Sequence, residues 1–279
     1  QNKSITKKEN NSQKIEHLGK SGPNSPNQPN SCKNGCSLAA SKKSIDFATG
    51  QETFTHIDFA LSGLVPLVWS RTYCSGLISY NKGSQGSRWI TPYIAHIAIR
   101  RKELLYHSTD GRAISFPLLK AEEAYHHPIE DITLMRISDD LLTLNVGKEL
   151  LEVYEKHGNV FRLTAIKDRQ GNSTGLHYHG SNLVAINDSN GHHITFAYNS
   201  QKLISQINLV SAEPRVLARY EYNKEGDLIR AYDEFGDVYE YTYQNHLITR
   251  YTDKTGRGIN LKWNGKRHTA RCIHEYDDN

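Results

Sequence analysis

A mainly β fold is predicted for this chain on three observations. Sixteen Tyr and seven Phe stand against a single Met in 279 residues, and aromatic side chains suit the pleated, half-buried surface of a sheet. From Ser44 onward Gly and Asn turns are frequent, and no segment sustains the i, i+3, i+4, i+7 apolar stripe of an amphipathic helix. A four-residue turn signal also recurs at fixed spacing in the second half. The length suits one large domain or two ordinary ones, with a core that needs no covalent staples.

The first element is a tail, residues 1–43. It holds eight Lys against Glu9 and Glu16, no Phe, Tyr or Trp, and 25 Asn, Gln, Ser or Lys residues. Such a segment buries too little apolar surface to offset the ~1–2 kcal/mol of backbone entropy lost per ordered residue, and reads as a disordered polar basic linker. The charge of +4 and pI near 8.7 belong to it. Residues 44–279 carry 26 basic against 28 acidic groups, a slightly acidic body that argues against nucleic acid as a partner. No apolar run approaches the ~18 residues of a membrane helix, and no signal-peptide core opens the chain. The first residue, Gln1, suggests a processed or truncated product.

Cys32 and Cys36 form a C-x3-C pair, half a zinc site at most. No second pair or H-x3-5-H partner follows, so ordinary thiols or a loose disulfide are expected. Residues 44–150 read as a β-rich domain. Its one helical candidate is 119–125, short and followed by Pro128.

Residues 151–279 repeat. Four D-x-x-G tetrads occur: Asp168-Arg-Gln-Gly171, Asp188-Ser-Asn-Gly191, Asp233-Glu-Phe-Gly236 and Asp253-Lys-Thr-Gly256. The first pair and the last pair are each 20 residues apart, and Asn208-Leu-Val-Ser211 fills the middle as a degenerate copy. Seven residues after each tetrad Gly stands an aromatic: Tyr178, Tyr198, Tyr243 and Trp263. Positions +3, +5 and +7 alternate onto one strand face, and five residues before each Asp is an aliphatic: Leu163, Leu183, Leu228 or Ile248. Each unit reads strand, turn, strand. The Asp is expected to accept backbone N–H bonds two or three residues on, while Gly supplies positive φ.

The stretch Tyr222-Asn-Lys-Glu-Gly226-Asp-Leu-Ile-Arg-Ala-Tyr232-Asp233-Glu-Phe-Gly236, with Tyr241-Thr-Tyr243 and Asp253-Lys-Thr-Gly256-Arg257, resembles the tyrosine-aspartate (YD) repeats of Rhs proteins. Asp46-Phe-Ala-Thr-Gly50, Asp58-Phe59, Pro66-Leu-Val-Trp69-Ser-Arg71-Thr-Tyr73, Gly86-x-x-Trp89 with Tyr93, and Asp110-Gly-Arg112 resemble the domain that opens the core of Rhs and related polymorphic toxins. The resemblance implies an opening or plug domain followed by YD hairpins that start a wound β-sheet shell, or cocoon, around a C-terminal toxin. It also implies manufacture in a bacterial cytoplasm and delivery into competitor cells, commonly by type VI secretion. The implied partners are the rest of the same polypeptide, including further repeats and the enclosed toxin, together with a secretion spike or chaperone and an immunity protein. Four or five units cannot close a shell, so a fragment of a longer protein is expected.

Enzymatic chemistry is not expected in this segment. His126-His127, His177-x-His179 and His192-His193 lack a third ligand at metal spacing, and each tetrad offers one carboxylate where calcium needs several. No nucleophile or phosphate-loop signature appears. No catalytic residue, metal ligand or cofactor is implied. The alternative is a surface carbohydrate-binding or adhesion protein stacking sugars on exposed rings, which requires Tyr178, Tyr198 and Tyr243 to be exposed.

Overall fold

A computed structural model describes residues 49–78, 83–147, 149–266 and 269–278. The tail with Cys32 and Cys36 lies outside the described residues. The described chain is nearly all β, without an α-helix. The helical expectation at 119–125 is overturned: residues 121–122 form a turn and a strand begins at Ala124. Glu122 takes a φ of 69°, and its N–H donates to the Arg136 carbonyl, so the cross-strand partner outcompetes a helix too short to nucleate.

Two sheets form. The smaller is a meander of β1 (Thr53–Leu61), β2 (Leu67–Cys74) and β3 (Trp89–Ile90), in the order β1-β2-β3. The larger begins with β4 (His96–Ile99), β5 (Glu103–His107) and β6 (Ala113–Pro117), and continues through β7 (Ala124–His127), β8 (Ile132–Ser138) and β9 (Leu141–Val146). Then follow β10 (Leu150–His157), β11 (Val160–Asp168), β12 (Ser173–His179), β13 (Asn182–Asn187), β14 (His193–Tyr198) and β15 (Ile204–Val210). The last strands are β16 (Arg215–Tyr222), β17 (Leu228–Asp233), β18 (Val238–Gln244), β19 (Leu247–Thr252), β20 (Gly258–Asn264) and β21 (Arg271–Asp277). β9 pairs with β10 from Val146↔Leu150 onward, so the sheet passes residue 150 without a break.

β11 is a branch point. Its first residues, Val160–Arg162, pair with β4, and its last, Ala165–Lys167, pair with β12 on the same edge. β4–β11 therefore curl back on themselves, while β12–β21 leave as a ladder of antiparallel hairpins. The sheet as a whole is not closed into a barrel, since the registered partner of β21 is β20.

The ladder bends for a reason the registers make plain. On every second strand one extra residue is inserted beside a pair containing an aromatic on the neighbour. The extra residues are Thr164, Val184, Ser205, Ile229 and Thr249, opposite Tyr154, Tyr178, Tyr198, Tyr222 and Tyr243. Ile273 opposite Trp263 is a sixth. A β-bulge bends its strand and increases the right-handed twist, so six in phase curve the sheet continuously toward one face. On that concave face lie Leu163, Leu176, Ile186, Ile194, Ile207, Leu228, Tyr241, Ile248 and Leu261, all buried. The small sheet fills the concavity and shares one core with it. β2 is buried along almost its whole length, Trp69, Arg71 and Tyr73 to 0% exposure.

Candidate functional site: the contact between plug and wall

The repeat turns are built as the four tetrads suggest, with one difference. In each, the Asp Oδ1 accepts the backbone N–H groups of residues i+2 and i+4: Gln170 and Asn172 at Asp168, Asn190 and His192 at Asp188, Phe235 and Asp237 at Asp233, Thr255 and Arg257 at Asp253. The N–H of the Gly at i+3 goes instead to the main-chain oxygen of the Asp. Gly171, Gly191, Gly236 and Gly256 take φ of 83–91°, a region that costs a residue with a Cβ. Asn208, read as a degenerate turn, lies inside β15. The matching Asn turns are at the other rim, where Asn199 accepts from Gln201 and Leu203 and Asn223 accepts from Asp227.

The repeat aromatics have a second duty beyond packing. Tyr178 OH donates to the Leu163 carbonyl at 3.0 Å, Tyr198 to Leu183 at 2.8 Å, Tyr222 to Ile204 at 2.7 Å, and Trp263 Nε1 to Ile248 at 2.7 Å. Each acceptor is the residue just before a bulge insertion, where the ladder is locally disrupted. A buried carbonyl must find a donor, so the position demands an aromatic with a polar tip. Tyr and Trp satisfy this and Phe does not. These rings are half-buried and packed on the core, which removes the exposed platform that sugar stacking requires.

Tyr243 is different: its hydroxyl accepts at 3.0 Å the indole N–H of Trp89, from the small sheet and its loops, called the plug as the β12–β21 ladder is called the wall. It belongs to a set of contacts in which plug side chains meet wall tyrosines. Arg71 forms a two-pronged ion pair with Asp58, Nε–Oδ2 2.6 Å and Nη2–Oδ1 2.8 Å, with both side chains shielded from solvent. Tyr220 donates to Asp58 Oδ2 at 2.6 Å, Arg71 Nη1 donates to Tyr241 OH at 3.3 Å, and Trp69 Nε1 donates to Tyr220 OH at 3.1 Å. The guanidinium also lies 5.0 Å from the Trp89 ring centroid. A buried guanidinium is tolerated only with such compensation. Burial opposes the charge of Arg71, but Asp58 outweighs it and holds its pKa well above the ordinary value. Burial, followed by the Asp58 charge, holds the Tyr220 phenol well above its usual range. His56 stacks on Tyr239 at 4.0 Å and is neutral, pushed down to about 3 by burial, Arg71 and Lys254.

Two loops extend the contact to both rims of the wall. Leu64 N–H donates to Asn190 Oδ1 at 3.1 Å on the tetrad rim. On the opposite rim, Ile204 N–H donates to the Ser84 carbonyl at 2.8 Å, and Ser87 N–H to the Gly226 carbonyl at 3.3 Å. A Cβ on Gly86 would stand 3.1 Å from that Gly226 carbonyl, so the approach suits glycine. Tyr73 OH bridges the His246 carbonyl and the Ile248 N–H at 3.4 and 3.2 Å. Chemically this arrangement is a lock, with the Arg71, Trp69 and Trp89 donors spent on structural acceptors.

The histidine clusters resolve separately. His177 bonds Asn187, His192 bonds Asp188 at 2.6 Å, and His126 bonds Thr133 at 3.0 Å. Among the described residues no three His, Cys, Asp or Glu side chains are grouped to hold a metal ion. No helix among them is long and apolar enough to cross a membrane.

The landmarks Asp58, Trp69, Arg71, Tyr73 and Trp89 were visible only through family resemblance, and their wall partner Tyr220 was missed. A signal existed: Tyr222-Asn223-x-x-Gly226 repeats the aromatic and turn of Tyr198-Asn199-x-x-Lys202, offset from the tetrads.

Residues 42–116 match a family model described as a domain of unknown function (DUF6531). Over 240 residues the chain is 24% identical to double-stranded DNA deaminase toxin A of Burkholderia cenocepacia (strain H111), covering 82% of this chain and 17% of that protein. Among solved structures, the crystal structure of TcdB2-TccC3-TEV is similar with a TM-score of 0.30 and 11% identity, over 85% of this chain and 16% of the other. The Photorhabdus luminescens Tc holotoxin pore is similar with a TM-score of 0.30 and 10% identity, over 81% and 14%. The chain thus spans less than a fifth of these proteins. The sequence likeness makes it a toxin-related chain.

Proposed function

We propose that this chain is the opening segment of an Rhs-type toxin container, in which a plug sheet seats the first YD hairpins of a wall that encloses a C-terminal toxin. The observation that carries this reading is the buried Asp58–Arg71 pair held by Tyr220 and Tyr241. Charge buried at a contact between plug and wall fixes register and orientation at the expense of stability, which suits the start of a winding shell better than a binding face. In phase, the bulges supply the curvature. The segment itself is non-enzymatic, and any deaminase or protease chemistry of the kind named for the relative lies elsewhere in the polypeptide. Delivery into a competitor cell by type VI secretion, with a spike or chaperone and an immunity protein as partners, belongs to the same proposal.

The test uses the full-length gene product. Arg71→Ala should admit protease to its C-terminal domain while the native protein resists. A reading frame that stops at Asn279, or protection unchanged in a variant whose plug is loosened, would defeat the proposal.

A further inference from the structure

The branch at β11 leaves a gap that the lock does not use. Where β11 exchanges β4 for β12 as its neighbour, the two strands diverge and a cavity of about 210 Å³ opens between them. Trp69 and Tyr93 of the plug line one side, and Tyr178, Leu183, Tyr198 and Ile204 of the ladder the other. A cavity of roughly 150 Å³ already accommodates benzene, so this one has room for an aromatic ring with a substituent.

Its third side carries a guanidinium and an imidazole. His96 and Arg162 line the cavity and are cross-strand neighbours, and His107 stacks on His96 with ring centroids 4.5 Å apart. No ion pair among the described residues includes any of the three. Of the five N–H donors of Arg162, the Gly180 carbonyl takes one while the guanidinium rests 5.7 Å from the Tyr178 ring. His96 Nδ1 lies 3.1 Å from the Ile94 carbonyl, which commits that nitrogen as a donor. Its other nitrogen is then a lone pair when the ring is neutral and a donor when it is charged. The charged and titratable groups facing this pair are Arg162 from β11, Arg100 from the β4–β5 turn and Tyr178 from β12. None is a carboxylate. Burial first, then His96 and Arg100, push His107 down to about 4.

We propose that this crevice binds a small aromatic carboxylate, its ring between Tyr178, Tyr198 and Trp69 and its carboxylate on Arg162. The site does not rest on the container reading, since it requires only the branch and its lining.

Calorimetric titration of the intact chain with benzoate, benzyl alcohol and inorganic phosphate tests it. Benzoate should saturate a single site. Benzyl alcohol, which keeps the ring, and phosphate, which keeps the charge, should each bind at least about tenfold more weakly, the scale of one charge-assisted hydrogen bond. Arg162→Gln should weaken benzoate by a similar factor. Equal binding of benzyl alcohol and benzoate, or benzoate affinity unchanged in Arg162→Gln, would overturn the assignment. Should that variant fail to fold, imidazole resonances of the unaltered protein decide: the His96 ring signals must shift as benzoate saturates the site, and unchanged signals sink the proposal.

Discussion

Strand β2 of the plug and strand β14 of the wall make opposite use of the same backbone. β14 alternates, with Ile194 and Phe196 buried between half-buried or exposed neighbours. β2 does not alternate: Ser70, Arg71 and Thr72 are as buried as Trp69 and Tyr73, because β1 and β3 flank it and the wall covers it. A strand with one wet face advertises itself by period two, whereas a strand dry on both faces loses that period. What replaces the period in β2 is polar chemistry that makes sense only once its partners, more than a hundred residues away, are in place.

The largest effect should separate the two regions outright. Arg71→Met leaves the Asp58 carboxylate buried without its partner and should cost about 3–5 kcal/mol in urea unfolding, the usual penalty for half of a buried pair. The double variant Arg71→Met with Asp58→Asn should recover part of that loss; if the single variant is as stable as the native chain, the plug is not locked by charge.

Second comes a buried acid in the curl. Glu152, held by Tyr154 OH at 2.5 Å and Tyr106 OH at 3.4 Å, is raised by burial to about 7, above its ordinary 4.5, despite those hydrogen bonds. The folded state therefore holds a proton that the unfolded state releases. Stability from this group is full below about 4.5 and falls as pH rises through about 7. Melting curves across that window should show a decline in the native chain that Glu152→Gln flattens.

The wall tyrosines give a smaller, more discriminating contrast. Tyr198→Phe strands the Leu183 carbonyl beside its bulge and should cost about 1–3 kcal/mol. The same measurement on Phe196→Leu probes packing alone, and a Tyr198→Phe chain as stable as the native one would show that the hydroxyl is idle. Smallest of all, Arg230→Ala removes ion pairs with Glu221 and Glu240 at 2.9 Å on the exposed outer face. About 0.2–1 kcal/mol is expected there, and a loss rivalling that of Arg71→Met would erase the distinction between the two regions.

The same contrast explains what could be read without coordinates. The strand-turn-strand rhythm of Asp168 to Trp263 is written in spacing, because turns at fixed Asp and Gly positions and rings at fixed offsets are local chemistry. The bulges are not, since an inserted Thr164 or Ile229 is recognised only from the register of its neighbour. The helix expected at 119–125 failed for a related reason: a short stretch of good helix formers yields to the cross-strand partner supplied by Arg136. Arg71 read as one polar residue in a β-rich run, and its burial is a property of Tyr220 and Tyr241 as much as of its own strand.

One bulge per hairpin has a consequence for how such a wall changes size. Within each hairpin the extra residue falls on the second strand, and the one insertion between hairpins, Leu217 of β16, accompanies the longer 208–233 spacing. Arc along β12–β21 is then set by the number of hairpins, and the small sheet, docked on Tyr220, Tyr241 and Tyr243, holds two of them at a fixed position.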